Sequence, residues 1–224
     1  MPNSSTSSHC GQCAVSQGCL LGEIWCRMPE ASRPPIQVQF FKPGQSLQQV
    51  DQQAECLSVV KTGMVMVGQH LRNGEELSMA LVGRGHVLGA RAATSQGALF
   101  WGRAQSEGAL CSMRFDQMGE DFIASVRNLL PALYVSQLMA LAHWTRLLRT
   151  TSLRQRVEAA LTLMWELQGS SGRRILLPKQ STMAALLNTT RESLGRVLSE
   201  IEAAGLLKRI DRSRVELAMD LCRQ

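Results

Sequence analysis

The residues best suited to chemistry lie near the start of the sequence, in the stretch HCGQCAVSQGC. It places Cys10, Cys13 and Cys19 close together in a segment with few large apolar side chains. Thiolates that packing does not need are available as metal ligands or as redox groups. Three hypotheses fit this spacing: a thiolate-bound metal, a redox dithiol at Cys10 and Cys13, and cysteines that act independently.

The composition favours reduced cysteines over a disulfide framework. The chain has 224 residues and seven cysteines, and no export signal precedes them. An odd count in a chain of this length is atypical of small secreted proteins. No run approaches the roughly eighteen apolar residues that a membrane span requires, so we expect a cytoplasmic protein without membrane contact. The net charge of +6, with arginines concentrated in the last third, favours a polyanion such as nucleic acid as partner.

Four segments follow from changes in pattern along the chain. Residues 1–35 lack regular periodicity and form a cysteine-rich N-terminal segment. Residues 36–115 contain short apolar or alternating runs separated by glycine-containing turns, which predicts an antiparallel β-roll, a sandwich of short strands. Residues 116–150 change to helical spacing, and residues 151–224 contain further amphipathic helices. The predicted fold class is therefore α+β.

The segment 116–150 is expected to form a long dimerisation helix. Its apolar residues keep a helical spacing through Val126, Leu133 and Leu147, and a second apolar line lies on another face. An ordinary core helix is the alternative. A helix of about nine turns exceeds the ~11-residue mean and needs an extended partner, so we predict a homodimer. Pro131 predicts a kink or a late start.

The most informative stretch is LPKQSTMAALLNTTRESLGRVLSEIEAAGLLKRI, at residues 177–210. Ser181 or Thr182 can cap a first short helix, and Asn188 suits a left-handed turn after it. A second helix is expected to begin near Thr190. Downstream, two short strands around a charged turn complete a predicted winged helix-turn-helix.

The second helix presents the side chains that base recognition requires. Arg191, Glu192 and Arg196 fall outside its apolar stripe. Arginine can donate two hydrogen bonds to guanine and glutamate can accept one from cytosine, so this face can read G·C pairs in a major groove. The alternative is a Glu192–Arg196 surface pair with a capping box, but the turn, the wing and the basic charge favour DNA. The candidate DNA contacts are Lys179, Ser181, Thr190, Arg191, Glu192 and Arg196.

These features together resemble the family that comprises the cyclic AMP receptor protein and the fumarate and nitrate reduction regulator. RESLGR at residues 191–196 is similar to its recognition helix, and GHVLGA at residues 85–90 is similar to a turn of its β-roll. The order β-roll, long helix, winged helix over residues 36–224 is also that of the family. The resemblance implies a transcription regulator and not an enzyme. It also implies binding to an inverted repeat in double-stranded DNA as a homodimer, with RNA polymerase as a partner.

The cysteine spacing resembles the oxygen-sensing branch of this family. That branch holds a [4Fe-4S] cluster through three clustered N-terminal thiolates and one distant thiolate. The resemblance assigns the metal ligands to Cys10, Cys13, Cys19 and Cys111, with Cys26 as a substitute candidate. Four thiolates are the usual ligands of such clusters, and the order of the N-terminal segment would then depend on the cluster. Zinc is the alternative metal.

Two departures separate this chain from the branches it resembles. The cyclic nucleotide branch has an acid after the GHVLGA-like turn and an Arg-Ser pair in the next strand. Here Ala90 and Arg91 follow the turn, and Ala98-Leu99-Phe100-Trp101 opens the matching strand, so no cyclic nucleotide is expected. The recognition helix, in contrast, has that branch's Arg-Glu-x-x-Gly-Arg pattern and predicts a TGTGA-like half-site.

Sensors of other chemistry remain open on the same fold. Haem could be ligated by His70, His86 or a cysteine, and a thiol-based redox sensor would need no metal. An enzyme is not expected, because the two histidines are isolated in the sequence and no neighbouring His or Glu completes a catalytic metal site.

Overall fold

The computed structural model describes residues 6–7, 10, 13, 19–169 and 172–222. It confirms the predicted α+β class, with antiparallel sheets first, then a long helix, then a helix-turn-helix with a small sheet. None of the helices in these ranges is long and apolar enough to span a membrane.

Twelve strands form three sheets in this part of the chain. Their bounds are β1 Thr6–Ser7, β2 Gln37–Phe41, β3 Ser46–Gln48, β4 Cys56–Thr62, β5 Val65–His70, β6 Glu76–Val82, β7 Val87–Leu88, β8 Trp101–Ala104, β9 Gly108–Arg114, β10 Arg174–Leu176, β11 Leu207–Arg209 and β12 Arg214–Leu217. The β-roll consists of a five-stranded sheet, β1-β2-β9-β4-β7, and a four-stranded sheet, β3-β8-β5-β6. The wing is the third sheet, β10-β12-β11.

Five α-helices accompany these sheets among the described residues. Their bounds are α1 Leu20–Arg27, α2 Glu120–Leu148, α3 Leu153–Gln168, α4 Gln180–Leu186 and α5 Arg191–Ala203. Helix α2 lies along the β-roll and presents one buried stripe to it, which includes Phe122, Val126 and Trp144. The indole Nε1 of Trp144 donates to the carbonyl of Leu81 at 2.9 Å, which fixes the helix to strand β6.

The apolar interior forms two clusters. The first joins the four-stranded sheet to the last turns of α2 and to helices α3, α4 and α5. The second joins the five-stranded sheet to the first half of α2 and to α1. Burial of apolar surface is the main stabilising contribution. The β-roll and the winged helix share the first core, and the described residues of the N-terminal segment that are buried pack on the second.

Helix α2 corrects one expectation drawn from Pro131. The helix does not start late, because Gly119 precedes it and Glu120 and Asp121 lie in its first turn, where the helix dipole favours negative charge. It continues through Pro131, which is exposed. The neighbouring Leu130 is buried, so packing on the β-roll compensates for the hydrogen bond that proline cannot donate.

The N-terminal segment corrects a second expectation, since helix α1 lies where no regular structure was predicted. The Sγ of Cys19 accepts from the backbone N–H of Gly22 at 3.4 Å, and the helix ends at Arg27, shortly before Pro29. The indole Nε1 of Trp25 donates to the carbonyl of Pro34 at 2.8 Å. A helix this short is marginal alone, so its tertiary contacts stabilise it.

Candidate DNA-binding surface, thiol cluster and β-roll cavity

The helix-turn-helix has the predicted break between its two helices. Asn188 adopts a φ of 50°, the left-handed conformation expected for the tight turn. Thr190 caps α5, because its Oγ1 accepts from the backbone N–H of Ser193 at 3.1 Å. Helix α4 differs from the prediction: Lys179 is the residue before it, no side chain caps it, and Ser181 lies in its first turn.

Helix α5 buries one face and exposes the predicted reading face. The buried residues are Leu194, Val197, Leu198 and Ile201. Arg191, Glu192 and Arg196 are not among them, and all three are exposed. Among the described residues Glu192 and Arg196 form no ion pair with each other, so the surface-pair alternative loses its support. A Cβ added at Gly195 would meet nothing within 4 Å, which leaves this face open to a bulky partner.

Lys179 and Ser181 have a different environment from the reading face. Both are exposed, and both line a cleft of about 360 Å³ whose other wall is the β-roll, including Gly44 and Gln105. Arg191, Glu192 and Arg196 do not line this cleft. The structure therefore places Arg191, Glu192 and Arg196 together on α5, with Thr190 as its N-cap. Lys179, just before α4, and Ser181, in its first turn, lie towards the β-roll instead.

The carboxylate of Asp211 orders the turn between strands β11 and β12 of the wing. The Oδ1 of Asp211 accepts from the backbone N–H groups of Ser213 and Arg214 at 2.9 and 2.8 Å, and its Oδ2 pairs with Arg214 Nε at 2.6 Å. These hydrogen bonds hold the pKa of Asp211 well below its usual range. Lys208 and Arg212 remain exposed nearby as candidate phosphate contacts.

The predicted metal ligands converge on the second apolar cluster. Cys10, Cys19 and Cys111 all pack against it, although they come from different parts of the chain. Cys13 donates its backbone N–H to the carbonyl of Cys10 at 3.1 Å. A Cβ added at Gly22 would lie 3.4 Å from the Sγ of Cys19 and 3.8 Å from that of Cys10, so both sulfurs lie over the same glycine of α1.

The electrostatics of these thiols depend on their proximity. Burial raises the pKa of Cys10 to about 12, and neighbouring thiols including Cys19, Cys26 and Cys111 contribute to the rise. Burial also raises the pKa of Cys111, which the ammonium of Lys61 partly opposes. Thiols in such a group stay protonated unless a cation compensates for their mutual repulsion as thiolates.

The donor set fits a thiolate-bound cofactor in residue type. Within the described ranges no three His, Cys, Asp or Glu side chains are grouped so that they could hold a metal ion. A single zinc ion requires all four sulfurs at about 2.3 Å, whereas the thiolates of an iron-sulfur cluster are spread over the whole cluster. In the part of the chain that the structure describes, the thiols converge without forming a metal site, so the iron-sulfur cluster and zinc both stay predictions.

The sequence analysis did not identify the apolar residues in and just after α1 that pack beside the thiols. Ile24, Trp25 and Met28 pack on the same cluster as the thiols. The four-residue spacing of Ile24 and Met28 is a helical one that could have revealed them. Interpretation of 1–35 as irregular overlooked this short amphipathic pattern.

A cavity of about 220 Å³ lies between the β-roll and helix α2. His86 and Arg91 line it on the β-roll side, and Tyr134 and Leu138 line it on the helix side. Burial lowers the pKa of His86 to about 4, so this imidazole is neutral near pH 7. His70 does not line this cavity but a separate cleft.

The chain matches two known domains in the regions just described. Residues 155–219 match the Crp-like helix-turn-helix domain, and residues 38–122 match the cyclic nucleotide-binding domain. This chain has the CRP-family fold. Both matches agree with the predicted order of a sensor domain followed by a helix-turn-helix, and the Crp-like match supports a DNA-binding transcription regulator. The iron-sulfur branch stays a prediction.

Solved structures share the CRP fold at low identity. A CRP-family transcriptional regulator from Thermus thermophilus is 20% identical over 80% of this chain and 91% of its own, with a TM-score of 0.62. FixK2 from Bradyrhizobium japonicum is 19% identical over 81% of this chain and 92% of its own, with a TM-score of 0.66. The c-di-GMP responsive regulator CLP of Xanthomonas campestris is 19% identical over 81% of this chain and 94% of its own, with a TM-score of 0.55. No curated protein matches the sequence.

The second domain match corrects the expectation about cyclic nucleotides. A cyclic nucleotide-binding domain is present over residues 38–122, although the sequence suggested that its ligand site was lost. The departures noted above concern single positions inside this domain. Ala90, Arg91 and Ala98 all line the 220 Å³ cavity, so the departures alter the lining and leave the domain intact.

Proposed function

We propose that this CRP-type chain is a homodimeric transcription regulator whose assembly is controlled by an oxygen-labile [4Fe-4S] cluster. The observation that supports this best is the convergence of Cys10, Cys19 and Cys111 on one apolar cluster, with Cys13 hydrogen-bonded to Cys10. These four are the proposed ligands. Cys26 is exposed on α1 and acts electrostatically on Cys10, which keeps it as a substitute candidate.

The chain's own residues connect the ligands to the long helix. A bound cluster supplies a centre that O₂ or nitric oxide destroys. The apolar side chains of Ile24, Trp25 and Met28 shield the thiols, and they pack in the same cluster as Val126 and Leu130 of α2. Loss of the bonds between the thiolates and the iron-sulfur cluster would release α1 from the apolar residues of α2. The order of α1 would then affect the surface that α2 exposes. The iron-sulfur cluster can favour the dimer only by the difference between its binding free energies in the dimer and in the monomer.

The dimer is supported by an apolar surface on α2. Tyr134, Val135, Leu138 and Met139 are exposed, and Leu138 has an exposed fraction of 64%. They lie outside the stripe of α2 that is buried on the β-roll. Contiguous exposed apolar surface of this kind marks an interaction site. A second copy of α2 would cover it and bring two α5 helices to adjacent half-sites of an inverted repeat.

The reading face of α5 supports a TGTGA-like half-site, because Arg191 and Arg196 can each bind a guanine and Glu192 can accept from a cytosine. RNA polymerase is the protein partner that the transcription role requires. A cytoplasmic location follows from the same role, because the DNA lies there.

Anaerobic purification of the full chain tests the cofactor. We expect iron and acid-labile sulfide in equal amounts, and an absorption band in the visible range that air bleaches. Cys111→Ser should abolish both, whereas Cys56→Ser should not, although burial raises the pKa of the Cys56 thiol as well. Retention of a full cluster by the Cys111 variant would remove Cys111 from the ligand set and favour Cys26.

Three other results would replace the cluster with another sensor. Zinc without iron would identify a thiolate zinc site. A Soret band without sulfide would identify haem, and a reversible disulfide without metal would identify a thiol sensor. Any of these leaves the DNA-binding role intact, because that role rests on the helix-turn-helix.

A further inference from the structure

Arg33 binds the C-terminal end of helix α1. Its Nε donates to the carbonyl of Met28 at 3.0 Å, and its Nη2 donates to the carbonyl of Cys26 at 3.1 Å. Cys26 lies in the last turn of α1 and Met28 is its C-cap, where a helix leaves carbonyls without an intrahelical partner. Among the described residues no carboxylate forms an ion pair with Arg33. Its cation is therefore directed at the end of α1 where the helix dipole favours positive charge.

Trp25 adds a second contact between Arg33 and α1. The guanidinium lies over the indole ring, with its Cζ 4.7 Å from the ring centroid, which is within the range of a cation–π interaction. The indole Nε1 donates to the carbonyl of Pro34, the residue after Arg33. Trp25 also packs on the second apolar cluster. Arg33 therefore contacts both the backbone of α1 and the side chain that docks this helix.

The segment after Arg33 is fixed beside the strand that carries Cys111. Ile36 is buried in the second apolar cluster. Strand β2 follows directly, and its Val38 pairs with Cys111 of β9. The other end of α1 begins at Cys19, which is the N-cap of the helix. The contacts of Arg33 thus limit how far Cys19 can move away from Cys111.

We propose that Arg33 is a positioning residue for the thiols: it opposes the release of α1 and so holds Cys19 beside Cys10 and Cys111. Its partners are backbone carbonyls and an indole ring, so its contacts do not require a cofactor. A docked α1 places its thiol before any metal binds, which lowers the ordering cost of binding. One consequence rests on the proposed function: Arg33 lengthens the lifetime of the iron-sulfur cluster in air.

Alkylation of the reduced, chelator-treated full chain tests the positioning. Iodoacetamide reacts with thiols that local opening exposes, and peptide mass spectrometry gives the rate at each cysteine. We expect Arg33→Gln to raise the rate at Cys19 about tenfold, the effect of losing a hydrogen bond from a charged group. Cys222 packs on the first apolar cluster, so its rate should not change. An unchanged rate at Cys19 would refute the proposal, and an equal rise at Cys222 would show a general loss of stability instead.

Two further variants separate charge from geometry. Arg33→Lys keeps the positive charge but lacks the planar fork that contacts two carbonyls and stacks on a ring, so it should also raise the rate at Cys19. Protection equal to that of the wild type in Arg33→Lys would overturn the geometric role. Arg72→Gln is the matched control, because Arg72 is exposed in the turn between β5 and β6, and it should react as the wild type does.

Bleaching of the anaerobically purified chain in air tests the consequence for the cluster. At equal iron and sulfide content, the visible absorbance of Arg33→Gln should disappear about tenfold faster than that of the wild type or of Arg72→Gln. Equal bleaching rates would refute the effect on the cluster and leave the proposed function intact. A wild-type chain without iron and sulfide would refute the proposed function, and the alkylation rates would still decide the role of Arg33.

Discussion

Arg191 illustrates how one exposed side chain acquires a reading role. It is the first residue of α5, and the hydroxyl of Thr190 satisfies the N–H of Ser193 behind it. The helix start is therefore rigid, and the guanidinium projects from a fixed point. A bidentate contact from such a point discriminates between bases more sharply than one from a loop.

We predict that Arg191→Ala relaxes base preference at one pair of the half-site, at a cost of ~1–3 kcal/mol for the preferred base. Lys179→Ala should instead weaken all sequences alike and reduce the salt dependence. Selection from random duplexes followed by binding titrations would measure both effects. Unchanged base preference in the Arg191 variant would contradict the assignment.

His86 makes the β-roll sensitive to acid. Its pKa falls from 6.5 to about 4 in the native state because burial disfavours the imidazolium. Between these values the unfolded chain binds more protons, so stability is present above pH 6.5 and is lost as the pH falls towards 4. We predict that His86→Gln removes about 3 kcal/mol of the acid-induced loss. Urea unfolding at several pH values across this window would measure it, with the exposed His70→Gln as control. Parallel wild-type and His86 curves would refute the prediction.

At the scale of elements, helix α2 contains a weak point at Pro131. The ring removes one helical hydrogen bond in a helix that runs from Glu120 to Leu148. We predict that Pro131→Ala stabilises the chain by ~1–3 kcal/mol, measured by urea unfolding. Ala132→Gly is the matched control and should cost about 1 kcal/mol. An unchanged free energy of unfolding in the Pro131 variant would contradict the prediction and would mean that the packing of α2 fully compensates for the missing hydrogen bond.

Elements with strong periodicity could be predicted from the sequence, and those stabilised by remote contacts could not. The β-roll, α2 and the two helices around Asn188 follow from period, turn residues and capping. Helix α1 did not, because eight residues carry too little intrinsic helical stability and its partners are distant in sequence. The contacts of Arg33 could not be predicted either, because no local pattern shows which carbonyls its guanidinium reaches.

At the scale of the whole molecule, dimerisation depends on one exposed strip of α2. We predict that Leu138→Glu prevents self-association, because a charge in the covered strip would lose its hydration. Ser136→Glu is the matched control, since Ser136 is exposed on the same helix but is not one of the apolar residues of the strip. Sedimentation velocity at equal concentration distinguishes the variants. Equal dimer fractions for both would place the contact elsewhere.

The β-roll and the winged helix meet through backbone atoms as well as side chains. The N–H of Arg84 donates to the carbonyl of Leu167 at 2.9 Å, and a Cβ added at Gly83 would collide with the same carbonyl. We predict that Gly83→Ala separates these surfaces and speeds proteolysis between them. Gly119→Ala is the control, because nothing lies within 4 Å of its added Cβ. Identical digestion rates would show that the contact is dispensable.

The apolar cluster shared by the β-roll and the helix-turn-helix limits how this protein can be recombined. It runs from Val60 in β4 through Trp144 in α2 to Leu194 in α5. A chimera that joins this sensor half to the reading half of a relative would therefore break a packed interior at the junction. New operator preferences are expected to arise by substitutions on the exposed face of α5. Exchange of the whole helix-turn-helix would require matched changes in the β-roll residues that pack against it.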